Sequence, residues 1–136
     1  MKDDVYFLKQ ASEEGNKVPK PYNFGAVLVK DGQIIAADHN HVAELNDPSA
    51  HDGISVLRKA GQQLKAYNFD GYTMYCSHEP CFMCVNAAAW AHIKRIVYSN
   101  PAKENKDFDY AFKDMTIEEY AQKLPRPLDV ELIRLD

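Results

Sequence analysis

The sequence predicts an α/β fold: a three-layer α/β/α sandwich on a mixed five-stranded sheet. Stretches of helical and strand period alternate along the chain as helix, hairpin, helix, strand, helix and strand, with a last strand near the C-terminus. Asp31-Gly32 between two apolar runs marks a hairpin. One strand pair is therefore antiparallel, while strands joined by helices run parallel, with helices on both faces. The 136 residues are 46% hydrophobic, enough for one core, so residues 1–136 are expected to form a single domain.

The first helix is expected over residues 3–14, where Val5, Leu8 and Ala11 recur at helical spacing and Gly15-Asn16 stops the pattern. Lys17 to Pro21 is a proline-containing connector. Phe24 to Val29 and Gln33 to Ala37 are the hairpin strands, and Asp38 to Pro48 reads as a polar loop. A second helix is expected over 51–65, with Ile54, Leu57 and Leu64 on one side. Tyr72 to Ser77 is a strand, Cys81 to His92 an alanine-rich helix, and Ile93 to Tyr98 another strand. Residues 101–124 are expected to be helical in pieces, with Thr116 and Glu119 in a capping-box pattern before Pro125 and Pro127 break the helix. Leu128 to Leu135 is the final strand.

The formal net charge of -4 argues against a large nucleic-acid footprint, which needs a basic face, and favours a small-molecule partner. No apolar run is long enough to span a bilayer. Met1-Lys2-Asp3-Asp4 is too acidic and polar for a signal peptide, so a soluble cytoplasmic protein is expected. Three cysteines cannot all pair within one chain, and a reducing compartment suits free thiols that hold metal.

The strongest chemical signal is Glu79-Pro80-Cys81-Phe82-Met83-Cys84 with His51 upstream. Cys81 and Cys84, three apart, share one face of a helix. Pro80 suits the first helical position, which would put both thiols in the first turn, where the positive end of the macrodipole favours thiolate. A neutral imidazole, two thiolates and an open fourth position make a catalytic Zn²⁺ arrangement. The plainer reading is a surface histidine and a separate redox Cys-x-x-Cys pair, although a thioredoxin-like protein has a different element order. Cys76, in mid-strand, reads as a small buried hydrophobe. Glu79 reads as a structural residue bonding backbone at the helix start.

These residues carry a family resemblance. Phe24-Gly25-Ala26-Val27-Leu28-Val29-Lys30-Asp31-Gly32, Asn46-Asp47-Pro48-Ser49-Ala50-His51, Glu79-Pro80-Cys81 to Cys84, and Trp90-Ala91 together resemble the zinc-dependent cytidine-deaminase superfamily. Within it the chain looks most like bacterial guanine deaminases, and Phe108-Asp109 followed by Phe112 is similar to their C-terminal segment. The resemblance implies the cytidine-deaminase fold and hydrolytic deamination of an aminopurine or related heterocycle. It implies zinc on His51, Cys81 and Cys84, and a ring held by Asn40, Phe24, Trp90, Phe108 and Asp109. It also implies a homodimer. From the residues alone, Asn40 is equally a turn former, Trp90 a core residue, and Asp107 and Asp109 a solvated face.

The family signature is His-x-Glu, and here the three residues are His51-Asp52-Gly53. The family's glutamate moves protons between water, ring nitrogen and departing amine. Gly53 stands at its position without a side chain. Asp52 is expected to point elsewhere, because one helical step rotates a side chain by about 100°. Positioned acid–base groups contribute about 10²–10⁴-fold, so turnover is expected to be reduced, or to use another proton carrier such as His78. His39 and His41 read as polar loop residues. The acidic pair that follows the C-terminal Phe in guanine deaminases is here Asp109-Tyr110, which keeps only the first acid. The alternative is a catalytically silent zinc-binding pseudoenzyme acting as a binding module or partner subunit. The inactive subunit of the eukaryotic tRNA adenosine deaminase is a precedent for that loss.

Overall fold

A computed structural model describes residues 2–108 and 110–135. The elements run α1 (Asp4–Gly15), β1 (Gly25–Lys30), β2 (Gln33–His39), α2 (Val42–Leu45), α3 (Asp52–Leu64), β3 (Thr73–His78), α4 (Phe82–Trp90), β4 (Arg95–Asn100), a 3₁₀ turn (Ala102–Glu104), α5 (Ile117–Gln122) and β5 (Asp129–Leu132). The five strands lie in the order β2-β1-β3-β4-β5. β1 is antiparallel to both β2 and β3, and β3, β4 and β5 are parallel. The sheet is therefore mixed, as the Asp31-Gly32 hairpin requires.

Strand periodicity sorts the core into two layers. Val27, Val29, Tyr75 and Val97 point to one face and pack on Phe7, Leu8 and Ala11 of α1. Ala26, Leu28, Met74, Cys76, Ile96 and Tyr98 point to the other face, against Val56 and Ala60 of α3, Val85 and Ala88 of α4, and Ile117 and Ala121 of α5. Both faces are covered, which is why the central strands read as continuous apolar runs. Among the described residues no helix is long and apolar enough to cross a membrane.

Glycine lets α1 lie close to the sheet. A Cβ on Gly15 would fall 2.7 Å from the carbonyl oxygen of Asn23 and from the nitrogen of Gly25, and one on Gly25 would collide with the backbone of Ala11 and Gly15. That approach fixes the start of β1, and with it Phe24. The N-terminal end of β1 and the C-terminal ends of β2, β3 and β4 then share one end of the sheet, shown by the pairings of Gly25 with His39, Ala26 with Cys76, and His78 with Asn100. A crevice at the carboxyl ends of parallel strands is the usual ligand position in α/β sheets.

The local expectations hold with corrections. The capping box of Thr116 and Glu119 is formed. The loop expected over Asp38 to Pro48 contains the end of β2 and the short α2, which Asn46 closes in the left-handed conformation. The region 101–124 forms the 3₁₀ turn and α5 with irregular chain between them. The cysteine-bearing helix begins at Phe82, not Cys81. Cys81 is the N-cap with ψ 169°, Cys84 falls in the first turn, and Pro80 lies outside the helix. The cause is upstream: the Glu79 N–H donates to Asn100 O (2.8 Å) and the Tyr110 hydroxyl donates to Glu79 O (2.9 Å), holding that segment extended.

At the opposite end of the sheet, Arg95 donates to Asp4 Oδ2 (2.8 Å) and Glu131 Oε2 (2.9 Å), and the Tyr75 hydroxyl donates to Asp4 Oδ1 (2.6 Å). This ties α1 to β4 and β5. The hydrogen bond from Arg95 holds the Asp4 carboxyl below its ordinary value, despite some opposing burial. Arg95→Ala is expected to cost about 1 kcal/mol of stability at neutral pH, discounted because both partners are one-third exposed. A depressed carboxylate pKa contributes stability above its unfolded value and loses it as pH falls through the folded value. The difference between parent and variant in urea midpoints is therefore expected to shrink on acidification through that range.

Candidate metal centre

Two helix starts meet at the shared end of the sheet. His51 is the N-cap of α3 with extended backbone (φ -68°, ψ 161°), and Cys81 is the N-cap of α4. The turn before His51 is built by Asp47, whose Oδ1 accepts from the Ser49 amide and hydroxyl. The His41 N–H donates to Ala50 O (2.9 Å), tying the end of β2 to the residue preceding His51.

His51 Nδ1 lies 3.3 Å from Cys81 Sγ, and the two sulfurs lie 3.8 Å apart. All three donor atoms are within 4.8 Å of one another, and Cys84 is buried. With Zn–S bonds of about 2.3 Å, two sulfurs on a tetrahedral ion stand ~3.8 Å apart. The donor set therefore fits zinc in chemistry and in spacing. The electrostatics agree. The hydrogen bond with Cys84 draws the Cys81 thiol well down, with His51 adding to the effect, while the same bond and burial hold Cys84 up. The contact with Cys81 raises His51 against its burial. The cluster is a proton-sharing set with thiolate character at the N-termini of two helices.

A cavity of about 190 Å³ opens above these donors. Phe24, Phe108 and Tyr110 form an aromatic wall, with Phe24 lying 6.2 Å from each of the other two rings and edge-on to Phe108. Tyr22 extends the wall against Phe108 (5.6 Å). Asn40 and Val42 also line the cavity. Asn40 Oδ1 accepts from the Val42 N–H (2.9 Å), so Asn40 forms the turn and faces the cavity at once.

Of the residues singled out in the sequence, His51, Cys81, Cys84, Asn40, Phe24 and Phe108 come together here, and Asp109 lies outside the described residues. Trp90 does not join them. It is 76% exposed at the end of α4, with the Arg126 guanidinium 5.6 Å from its ring centre. The alanine-rich α4 buries Val85, Ala88 and Ala89 instead and turns Trp90 outward. His78 is also displaced. Its ring stacks on the far side of Phe24 (4.1 Å, 7°), its Nδ1 is bonded to Ser77 Oγ (2.8 Å), and burial lowers its pKa to about 4. Glu79 does bond backbone, but its Oε1 accepts from Ala102 N–H rather than from its own helix.

Asp52 overturns the expectation drawn from helical rotation. It is 7% exposed and lines the cavity beside His51. The N-cap residue is not helical, so the ~100° step does not apply between positions 51 and 52. Burial raises the Asp52 carboxyl to about 6, opposed by the charge of His51. A Cβ on Gly53 would lie 3.1 Å from both Cβ and Sγ of Cys84, so the space beside position 53 is filled by a metal-ligand side chain. Tyr22, Tyr110 and Asp52 are the site residues that the sequence reading missed. The aromatic character of the segment around Phe108 was the available signal for Tyr110.

Residues 1–100 match the cytidine and deoxycytidylate deaminase zinc-binding region. The chain is 42% identical over 96 residues to guanine deaminase of Bacillus subtilis (strain 168), a stretch that covers 68% of this chain and 62% of that protein. It is 35% identical over 96 residues to the tRNA-specific adenosine deaminase of Aquifex aeolicus (strain VF5), covering 69% and 64%. The match thus spans less than two thirds of either relative's length. The solved structure of the Bacillus subtilis guanine deaminase superposes with a TM-score of 0.72 at 34% identity, covering 94% of this chain and 84% of that one. With the His51, Cys81 and Cys84 donors brought together at one end of a mixed five-stranded sheet, the chain belongs to the cytidine and deoxycytidylate deaminase family of zinc-binding domains.

Proposed function

We propose that the chain is a zinc-dependent deaminase of a free amino-heterocycle, an aminopurine or a close relative, with turnover reduced by the glycine at position 53. One observation carries this reading: the three metal donors line one cavity together with a cluster of aromatic rings and the Asn40 amide. Zinc, when bound, supplies a Lewis acid that lowers the pKa of a water toward ~7. Cys81 and Cys84 hold the ion as thiolates and His51 holds it through Nδ1. Phe24, Phe108 and Tyr110 present flat faces and edges on which a heterocycle stacks. The Asn40 oxygen is engaged by Val42, so its NH₂ group is the part left to donate to a carbonyl or ring nitrogen of the base.

Proton transfer falls to Asp52. Asp52 is a buried carboxyl that lines the cavity beside His51, where it can accept a proton from water and return it to the departing amine. It is one methylene shorter than glutamate and attached one residue earlier, from which a reduced rate is expected. The net charge of -4 favours a free base over tRNA as substrate. We read residues 1–136 as one domain, acting as a homodimer in the cytoplasm. The exposed rings of Phe82 (54%) and Trp90 (76%) offer apolar contact area to a second copy.

Gly53 favours a second reading, a zinc-bearing silent partner that binds the heterocycle without converting it. Ammonia release from aminopurines, aminopyrimidines, pterins and triazines separates the two. Slow turnover by the parent, reduced ~10²-fold in Asp52→Asn with zinc content unchanged, is the outcome expected of the enzyme. No turnover by the parent and measurable turnover by Gly53→Glu would establish the silent partner. In that variant Cys84 must first yield by a few tenths of an ångström. Cys81→Ser is expected to lose stoichiometric zinc in elemental analysis, and a parent without zinc would sink both readings.

A further inference from the structure

We propose that Asp38, His39 and His41, with Glu14 bonded to His39, form a second divalent-metal site flanking Asn40, suited to a borderline ion such as Zn²⁺ or Co²⁺. The site shares no residue with the His51, Cys81 and Cys84 set. One donor atom from each of Asp38, His39 and His41 lies within 4.8 Å of the others. Asp38 Oδ1 is 2.7 Å from His41 Nε2 and 3.8 Å from His39 Nδ1. A tetrahedral ion with bonds of about 2.0–2.1 Å separates its ligands by ~3.4 Å, between those two values. Glu14 Oε2, from the last turn of α1, stands 2.7 Å from His39 Nδ1 as a hydrogen-bond partner that orients this imidazole.

The surroundings are those of a ligand set held in place. The side chains of Glu14, Asp38, His39 and His41 are 11–20% exposed, so they are ordered by packing yet reached from solvent. His41 uses Nε2 toward the cluster, and its Nδ1 is bonded by Glu44 Oε1 (3.0 Å). That is the carboxylate–histidine pattern which orients an imidazole toward a metal. Three carboxylates, Glu14, Asp38 and Glu44, surround two imidazoles; Lys17 lies 2.9 Å from Glu14, and Arg58 and Lys59 line the same surface hollow as Asp38, His41 and Glu44, with the Lys59 ammonium bonded to Ala37 O (2.9 Å). Two imidazole nitrogens with carboxylate oxygens suit zinc, cobalt or nickel, and the absence of sulfur from the set separates it spectroscopically from the thiolate centre.

Position gives the site a consequence. Asn40 lies between His39 and His41, and the His41 amide holds Ala50 O beside His51. An ion bound here would hold the end of β2 and fix the Asn40 side of the cavity.

The test begins with protein purified with one zinc per chain, dialysed against Co²⁺, with both metals then counted and the visible spectrum recorded. The expected result is one cobalt added with zinc retained and no thiolate-to-cobalt charge-transfer band. Asp38→Asn and His41→Asn, each checked for native circular dichroism, are expected to bind that cobalt at least ~10-fold more weakly while keeping zinc. If either variant fails to fold, the other and Glu14→Gln serve the same comparison. Absence of added cobalt, cobalt gained only as zinc is lost with a thiolate band, or equal cobalt binding by parent and folded variants would each overturn the site.

Discussion

The structure depends on the meeting of two helix N-termini around three donor atoms. α3 and α4 each direct unpaired backbone N–H groups and the positive end of a dipole toward the same point. Without negative charge there, that convergence is unfavourable. The Cys81 and Cys84 sulfurs supply the charge, and His51 lies close enough to stabilise it. Asp52, in the first turn of α3, adds a carboxyl to the same positive field. Helix geometry and metal chemistry therefore favour the same state, deprotonated sulfur at the start of α4, which is the form that binds a metal ion.

Everything that supports the donors lies at one end of the sheet. Backbone hydrogen bonds from Glu79 to Asn100, from Asn40 to Phe24 and from His41 to Ala50 join the strand ends to the two helix starts. The C-terminal segment closes the arrangement through the Tyr110 hydroxyl on Glu79 O. The cavity wall thus draws on chain separated by more than eighty positions, from Tyr22 to Tyr110. Its shape follows from the register of β1 against β3, which a shift of one residue would turn inside out. The Arg95 cluster at the far end anchors α1 independently of the site, leaving the metal end free to be built from loops.

Much of this was legible in the chain. The hairpin at Asp31-Gly32, the strand and helix alternation and the Thr116 capping box are local, and local chemistry is what periodicity and turn residues report. The helix that carries the cysteines was legible, but its first residue was not. The segment before Phe82 is held extended by Asn100 and Tyr110, both distant in sequence. Trp90 follows a motif that resembles the family, yet the face of α4 it occupies is set by what Val85 and Ala88 bury. The direction of Asp52 was not legible, because His51 before it is an N-cap with extended backbone and helical rotation does not span the two.

By itself, the sequence determined the fold class and the identity of the metal donors. Pattern period and the His…Cys-x-x-Cys spacing are properties of neighbouring residues and of ligand chemistry. Only the tertiary structure decided which other groups face the ion. It turned Asp52 inward, carried His78 behind Phe24, exposed Trp90, and brought Glu14 of the first helix to Asp38, His39 and His41. Those outcomes rest on packing between elements far apart in the chain, where a side chain's direction is set by what the sheet and the opposing helix leave room for.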